Sequence, residues 1–133
     1  MPWAPASSKR PSRPSGSCAP WASCRNRVTA MQSMGNYEVL SHVEMAECSL
    51  RILRLRQGEH VSPHYHRECV QIYTVLESEV EVQVGERTYR LLPYETVRVE
   101  RGVVHALRPG ERDALVLSLS IPPLQREDHH VVS

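Results

Sequence analysis

His64 and His66, followed by Gln71 and, 39 residues after His66, by His105, are the residues whose types and spacing could do chemistry. Side chains two apart on an extended strand leave the same face. Neutral imidazole is a ligand for zinc, iron, nickel and copper. A third histidine arriving from another strand would close a three-nitrogen metal site. Such a donor set carries no charge, so it leaves the full charge of a divalent cation uncompensated. Open positions on the cation would take water, dioxygen or a chelating substrate and polarise the oxygen they hold.

Strands must position these groups. From Tyr37 onward the apolar residues alternate in short runs separated by turns, and no run has helical period. Candidate strands are Tyr37–His42, Ser49–Arg56, Val70–Leu76, Val80–Val84, Thr88–Leu92, Thr96–Val99, Val103–Leu107 and Ala114–Ile121. Eight short strands with turn signals at Gly58, Gly85, Gly102 and Pro109-Gly110 predict an all-β, antiparallel jelly roll or closed barrel. With no phenylalanine in the chain, its core rests on Val, Leu and Ile. If Arg67 to Cys69 form a local bulge, then Gln71, Tyr73 and Val75 face the interior while Val70, Ile72 and Thr74 pack outside.

The flanks differ in composition. Residues 1–33 hold five of the ten prolines, seven serines and five basic residues with no acidic one. So little apolar surface cannot offset chain entropy, and this part reads as a disordered extension, with Met31 or Met34 as the expected natural start. The barrel domain is placed at 34–123 and a C-terminal tail, free or packed across the barrel exterior, at 124–133, where tail flexibility argues against a role for His129 and His130. Residues 34–133 carry 11 basic against 15 acidic side chains. That body has no basic stripe for nucleic acid and no helix-turn-helix segment. No apolar run reaches the roughly 18 residues that span a bilayer, so no membrane is expected as a partner. Four cysteines without C-x-x-C spacing read as free thiols in a reducing, cytoplasmic setting.

Gly58-x5-His64-x-His66-x4-Gln71 with Pro93-x8-Gly102-x2-His105 resembles the two motifs of the cupin superfamily over about residues 45 to 122. In that family the first motif reads G-x5-H-x-H-x3,4-E-x6-G and the second G-x5-P-x-G-x2-H-x3-N. The resemblance implies a small jelly-roll barrel whose divalent transition metal (Fe, Ni, Cu, Mn or Zn) is held by His64, His66, His105 and, at the glutamate position, Gln71. It also implies a homodimer. Departures from the pattern are Gln71 for glutamate, Ser78 for the glycine closing the first motif, the absence of a glycine-aspartate pair near Pro93-Tyr94-Glu95, and Arg108 near the expected asparagine.

Each candidate also has a plainer reading. His64 and His66 could be ordinary strand histidines, Gln71 an amide orienting a histidine or a water, and Tyr73 a core tyrosine with a satisfied hydroxyl rather than a catalytic proton donor. His60 and Glu68 stand near the site as proton donors or as solvated turn residues. Arg51, Arg54, Arg56, Arg98 and Arg101 read mostly as exterior charges, although one at the barrel mouth could hold a carboxylate. Three functions stay open: a metal-dependent, dioxygenase-like oxidoreductase on a small organic molecule; a non-catalytic barrel binding a small molecule or sugar; and a sugar isomerase or epimerase, after the likeness of His64-Tyr65-His66-Arg67 to the cupin part of mannose-6-phosphate isomerases. The fold alone decides nothing among these.

Overall fold

A computed structural model describes residues 32–33 and 37–132. Among these residues eleven strands follow in order: β1 Gln32–Ser33, β2 Glu38–Glu44, β3 Ser49–Leu55, β4 Val61–Tyr65, β5 Val70–Glu77, β6 Val80–Val84, β7 Arg87–Leu91, β8 Thr96–Val99, β9 His105–Pro109, β10 Ala114–Ile121 and β11 His130–Val131. They form two antiparallel sheets, β1-β2-β3-β10-β5-β8 and β11-β4-β9-β6-β7, with a 3₁₀ turn at Arg126–Asp128. The jelly-roll expectation holds. The first 31 residues, read as disordered, lie outside the described residues. Gln32–Ser33 pairs with β2, so sheet pairing starts inside the segment assigned to the extension.

Alternation fills the space between the sheets. Leu55, Val75, Val80, Val82, Val116 and Leu107 are all at most 1% exposed and form the centre of one apolar cluster. Registers on β3, β10 and β5 align the inward rows: Leu53 with Val116 and Val75, then Arg51 with Ser118 and Tyr73, then Ser49 with Ser120 and Gln71. Three strands change from apolar to polar at the same level. On the facing sheet β4 and β9 do likewise, pairing Val61 with Leu107 and His64 with His105. The barrel is therefore greasy at one end and polar at the other, and the polar end holds the histidines.

Two sequence readings need correction. Strand β4 is missing from the eight candidates; Pro63 sits where the β4–β9 register shifts, between Val61 and His64, and the shift lets both of those residues face inward across a spacing of three, which interrupts the alternation. Arg67–Cys69, expected as a bulge within one strand, is instead the crossing from one sheet to the other, since β4 and β5 belong to different sheets. The inward set Gln71, Tyr73 and Val75 is as expected, each at most 3% exposed. Residues 124–132, expected as a tail, run back across the barrel end: Leu124 N–H donates to Ser49 Oγ, and β11 pairs His130 with Tyr65 and Val131 with His64.

Ser78, at the position of the missing glycine, adopts φ 67°, in the left-handed region where a Cβ is penalised by roughly 1–2 kcal/mol. Glycine removes that penalty but has more unfolded-chain entropy to lose. Ser78→Gly is expected to raise stability by up to about 1 kcal/mol in urea unfolding; a loss of stability would show that the serine side chain is itself a needed partner. Leu55→Ala, at 0% exposure, is expected to cost about 2–5 kcal/mol in the same assay.

Candidate metal centre

His64 comes from β4, His105 from the start of β9, and His66 from the residue just past β4, where the chain leaves one sheet for the other. All three are at most 3% exposed. One nitrogen from each lies within 4.8 Å of the others. Each ring is held by its Nδ1 against a main-chain carbonyl: His64 to Ser62 at 2.7 Å, His105 to Val103 at 2.9 Å and His66 to Asp128 at 2.6 Å. A carbonyl only accepts, so the proton of each neutral ring sits on Nδ1 and each Nε2 is left as a lone pair. His66 Nε2 is buried with no hydrogen-bond partner among the described residues. Buried polar atoms are seldom left so, and a convergent set of imidazole lone pairs is the donor set a divalent transition metal takes.

Gln71 joins this group. Its Nε2 donates to Ser120 Oγ at 2.8 Å, and Tyr73 Oη donates to its Oε1 at 2.6 Å. That orientation sets Oε1 2.9 Å from His105 Nε2. With the His105 proton on Nδ1, these are two acceptors facing one another, an arrangement that a cation bound beside both relieves. The Tyr73 hydroxyl is thus satisfied as the plainer reading required; burial pushes its phenol well above the usual range, so it stays a donor.

The C-terminal segment supplies two residues that sequence reasoning sets aside. Asp128 is 6% exposed, and its carboxylate accepts the backbone amides of Arg67 at 2.7 Å and Glu68 at 2.9 Å while its own carbonyl takes His66. Burial acts to raise this carboxyl, but the two amides and the neighbouring histidines outweigh it and hold the group below its ordinary value. His129 stacks on His64 with ring centres 4.4 Å apart and planes 15° apart. The reading of a flexible tail without a role is therefore corrected: pairing of β11 with β4 and the Asp128 clamp hold the segment as one wall of the site. The run Asp128-His129-His130 is its only visible signal in the sequence.

A second grouping, His66, Cys69 and Asp128, also lies close together. Both Asp128 oxygens are engaged by amides, and burial pushes the Cys69 thiol up to about 11, so without a cation it stays protonated. Cys48 and Cys69 are unpaired, while Cys18 and Cys24 lie outside the described residues. His60 and Glu68 are exposed and do not line the cavity of about 590 Å³ that opens above the histidines. Arg54 and Arg56 pair with Glu38 and Arg98 with Glu100 on the exterior, as expected; Arg51 instead faces the cavity.

Burial, reinforced by the neighbouring His105, lowers His64 to about 3; burial, opposed in part by the Val103 carbonyl, lowers His105 to about 4. These folded-state values lie below the unfolded value near 6.5, so the native state binds fewer protons than the unfolded chain. The corresponding stability is present in full above about pH 6.5 and is lost as pH falls toward about 4. Metal-free protein kept in chelator is expected to lose up to about 1.4 kcal/mol per pH unit for each of these two histidines over that window, read by urea unfolding at several pH values. A flat profile would show that the rings are not buried as neutral imidazoles.

Comparison with known proteins agrees with this architecture. The family model described as the cupin domain matches residues 51–121. No curated protein matches. Among solved structures, KdgF from Halomonas sp. superposes with a TM-score of 0.68 at 21% identity, covering 74% of this chain and 90% of that one. TT1209 from Thermus thermophilus gives 0.59 at 27% identity, with 61% and 78% covered. An RmlC-like cupin from Shewanella frigidimarina gives 0.66 at 20% identity, with 75% and 87% covered. A jelly roll with two antiparallel sheets, three converging histidines at its polar end and a family match over more than half of its length place this chain in the cupin family.

Proposed function

We propose that His64, His66 and His105 bind one divalent transition metal through Nε2, with Gln71 Oε1 as a fourth donor, and that the protein is a metal-dependent, dioxygenase-like enzyme acting on a small organic molecule. The observation that carries this reading is the set of three Nδ1–H bonds to main-chain carbonyls, which point three unprotonated nitrogens into one buried space and leave His66 Nε2 otherwise orphaned. Carbonyl partners of this kind fix ring orientation and tautomer in metal sites. Iron, nickel, copper, manganese and zinc all accept such donors. When bound, a redox metal supplies Lewis acidity and one-electron chemistry toward dioxygen.

The chain's own residues do the rest. Ser120 and Tyr73 hold the Gln71 amide so that its oxygen faces the histidines. Tyr73 lines the cavity as well as touching Gln71, and its hydroxyl, on exchanging its bond to Gln71 for one to a bound ligand, is the candidate catalytic proton donor. Asp128 fixes the loop after β4 and, through its carbonyl, the tilt of His66. Isomerase chemistry needs a general base beside the metal; among the described residues no aspartate or glutamate lines the cavity, so that role would fall to His42 or His129. The non-catalytic binding barrel is favoured by one observation only, the neutral donor set. Half-buried Leu50, Ile52, Leu115, Leu117 and Ile72 alternate with the inward rows on β3, β10 and β5, and their outer sheet face supports a homodimer. The unpaired thiols suit the cytoplasm. No helix among the described residues is long and apolar enough to cross a membrane.

Elemental mass spectrometry of protein purified without a histidine tag is expected to find about one metal per chain, absent from a His64→Ala/His105→Ala double variant whose circular dichroism is unchanged. Equal metal content in both would place the metal elsewhere. Iron, nickel or copper would justify oxygen-uptake screens, whereas bound zinc would count against oxidation. Gln71→Glu restores a charged donor and is expected to tighten metal binding at least about tenfold, a gain of about 1.4 kcal/mol or more. An unchanged affinity would make Gln71 a residue that orients the histidines without ligating.

A further inference from the structure

The cavity above the histidines is lined by Arg51, Arg126, His42 and His129 and, among the described residues, by no carboxylate. Arg51 is the distinctive member. It lies on the inward row of β3, opposite Ser118 of β10 and His42 of β2, and is half-buried. Its Nε donates to His42 Nδ1 at 3.2 Å, which requires the proton of that neutral ring to sit on Nε2, facing Glu44 3.6 Å away. This bond fixes the guanidinium plane from one edge. The Nη1/Nη2 fork has no hydrogen-bond or ion-pair partner among the described residues, in contrast with Arg54, whose Nε meets Glu38 at 2.9 Å.

A cation drawn partly out of water without a counter-charge is costly, and the guanidinium fork matches a carboxylate through two parallel hydrogen bonds. The neutral donor set below it adds to the demand, because a divalent ion held by three imidazoles and an amide keeps its whole charge. Both ends of the cavity thus call for a negative group. Arg51 stands one inward row from Gln71 and two strands away from it, since β10 lies between β3 and β5: roughly 7 Å along the strand and about 10 Å across the sheet, a gap that the inward-facing side chains and a small molecule between them fill.

We propose that the cavity binds a small organic acid whose carboxylate is clamped by the Nη1/Nη2 fork of Arg51, with the remainder of the molecule reaching toward the three histidines. The assignment rests on the metal-centre reading for the second half of the contact only; the clamp is a property of Arg51 and His42. Tyr37, on the same wall, contributes a hydroxyl donor. Arg126, from the segment that crosses the barrel end, adds positive potential at the entrance, which favours entry of anions.

Isothermal titration of the full chain with succinate, malate and 2-oxoglutarate, and with neutral succinamide, tests this in metal-free and zinc-loaded protein. At least one acid is expected to bind both forms, more tightly with zinc, while succinamide binds at least tenfold more weakly. Arg51→Gln is expected to weaken the acid at least tenfold in both forms with unchanged metal content, and Arg51→Lys to keep part of the affinity because it keeps the charge without the fork. Thermal unfolding of both variants checks that they fold. If acid binding depends on Arg51 but zinc is never taken up, the clamp stands and the metal reading fails. If none of the acids binds either form, if Arg51→Gln binds within twofold of the parent, or if succinamide matches the acids, the clamp is overturned.

Discussion

Everything at the polar end of this barrel depends on how three imidazole rings are tethered. A free histidine side chain rotates and exchanges its proton between two nitrogens, so proximity alone does not make a site. Here the carbonyls of Ser62, Val103 and Asp128 each hold one Nδ1–H, and three lone pairs are left with a common direction. Two of these tethers are local, made by a carbonyl two residues upstream of the ring it holds. The third crosses from the C-terminal segment, 62 residues away in sequence.

That asymmetry explains why the segment after β10 is built into the fold. His66 lies beyond the end of β4, at a crossing between sheets where no ladder holds the chain. Gly102 N–H and Arg101 Nε hold the carbonyls of His66 and Glu68, and Asp128 holds the rest: its carboxylate takes the two amides of the crossing and its carbonyl takes the ring. A carboxylate accepting main-chain amides forms charge-assisted bonds stronger than neutral ones, which suits a loop that must not move relative to the site. Pairing of β11 with β4 and the stacking of His130 on Tyr65 at 5.0 Å then keep Asp128 in place.

The rest of the barrel sorts its interior by polarity along its length. Rows containing Val75, Val116 and Leu53 exclude water, and the next rows carry Tyr73, Ser118 and Arg51, then Gln71, Ser120 and Ser49. Buried polar groups need partners, and they find them across the strands: Tyr73 on Gln71, and Gln71 on Ser120. The chain thereby combines a dry core that supplies stability with a polar chamber that can hold a charged ligand.

Much of this was legible before folding. Period-two alternation in Glu79 to Val84 and in Ala114 to Ile121 defines strands and faces because a strand has one geometry for successive side chains. The spacing of His64, His66 and His105 was enough to choose three ligand candidates, the family resemblance added Gln71, and alternation placed Gln71 and Tyr73 on the inward face. Strand β4 escaped because its register shift interrupts the period-two alternation, and Arg51 was grouped with four other arginines because pairing with strands distant in sequence decides which of them faces the cavity. Asp128 and His129 could not be assigned from local pattern, since their roles arise from contacts roughly 60 residues apart with no periodicity to announce them. Local spacing determines which side chains share a face, a property of backbone geometry alone; which carbonyl holds a ring, which arginine lacks a counter-ion and which segment closes the site are decided only when distant strands meet.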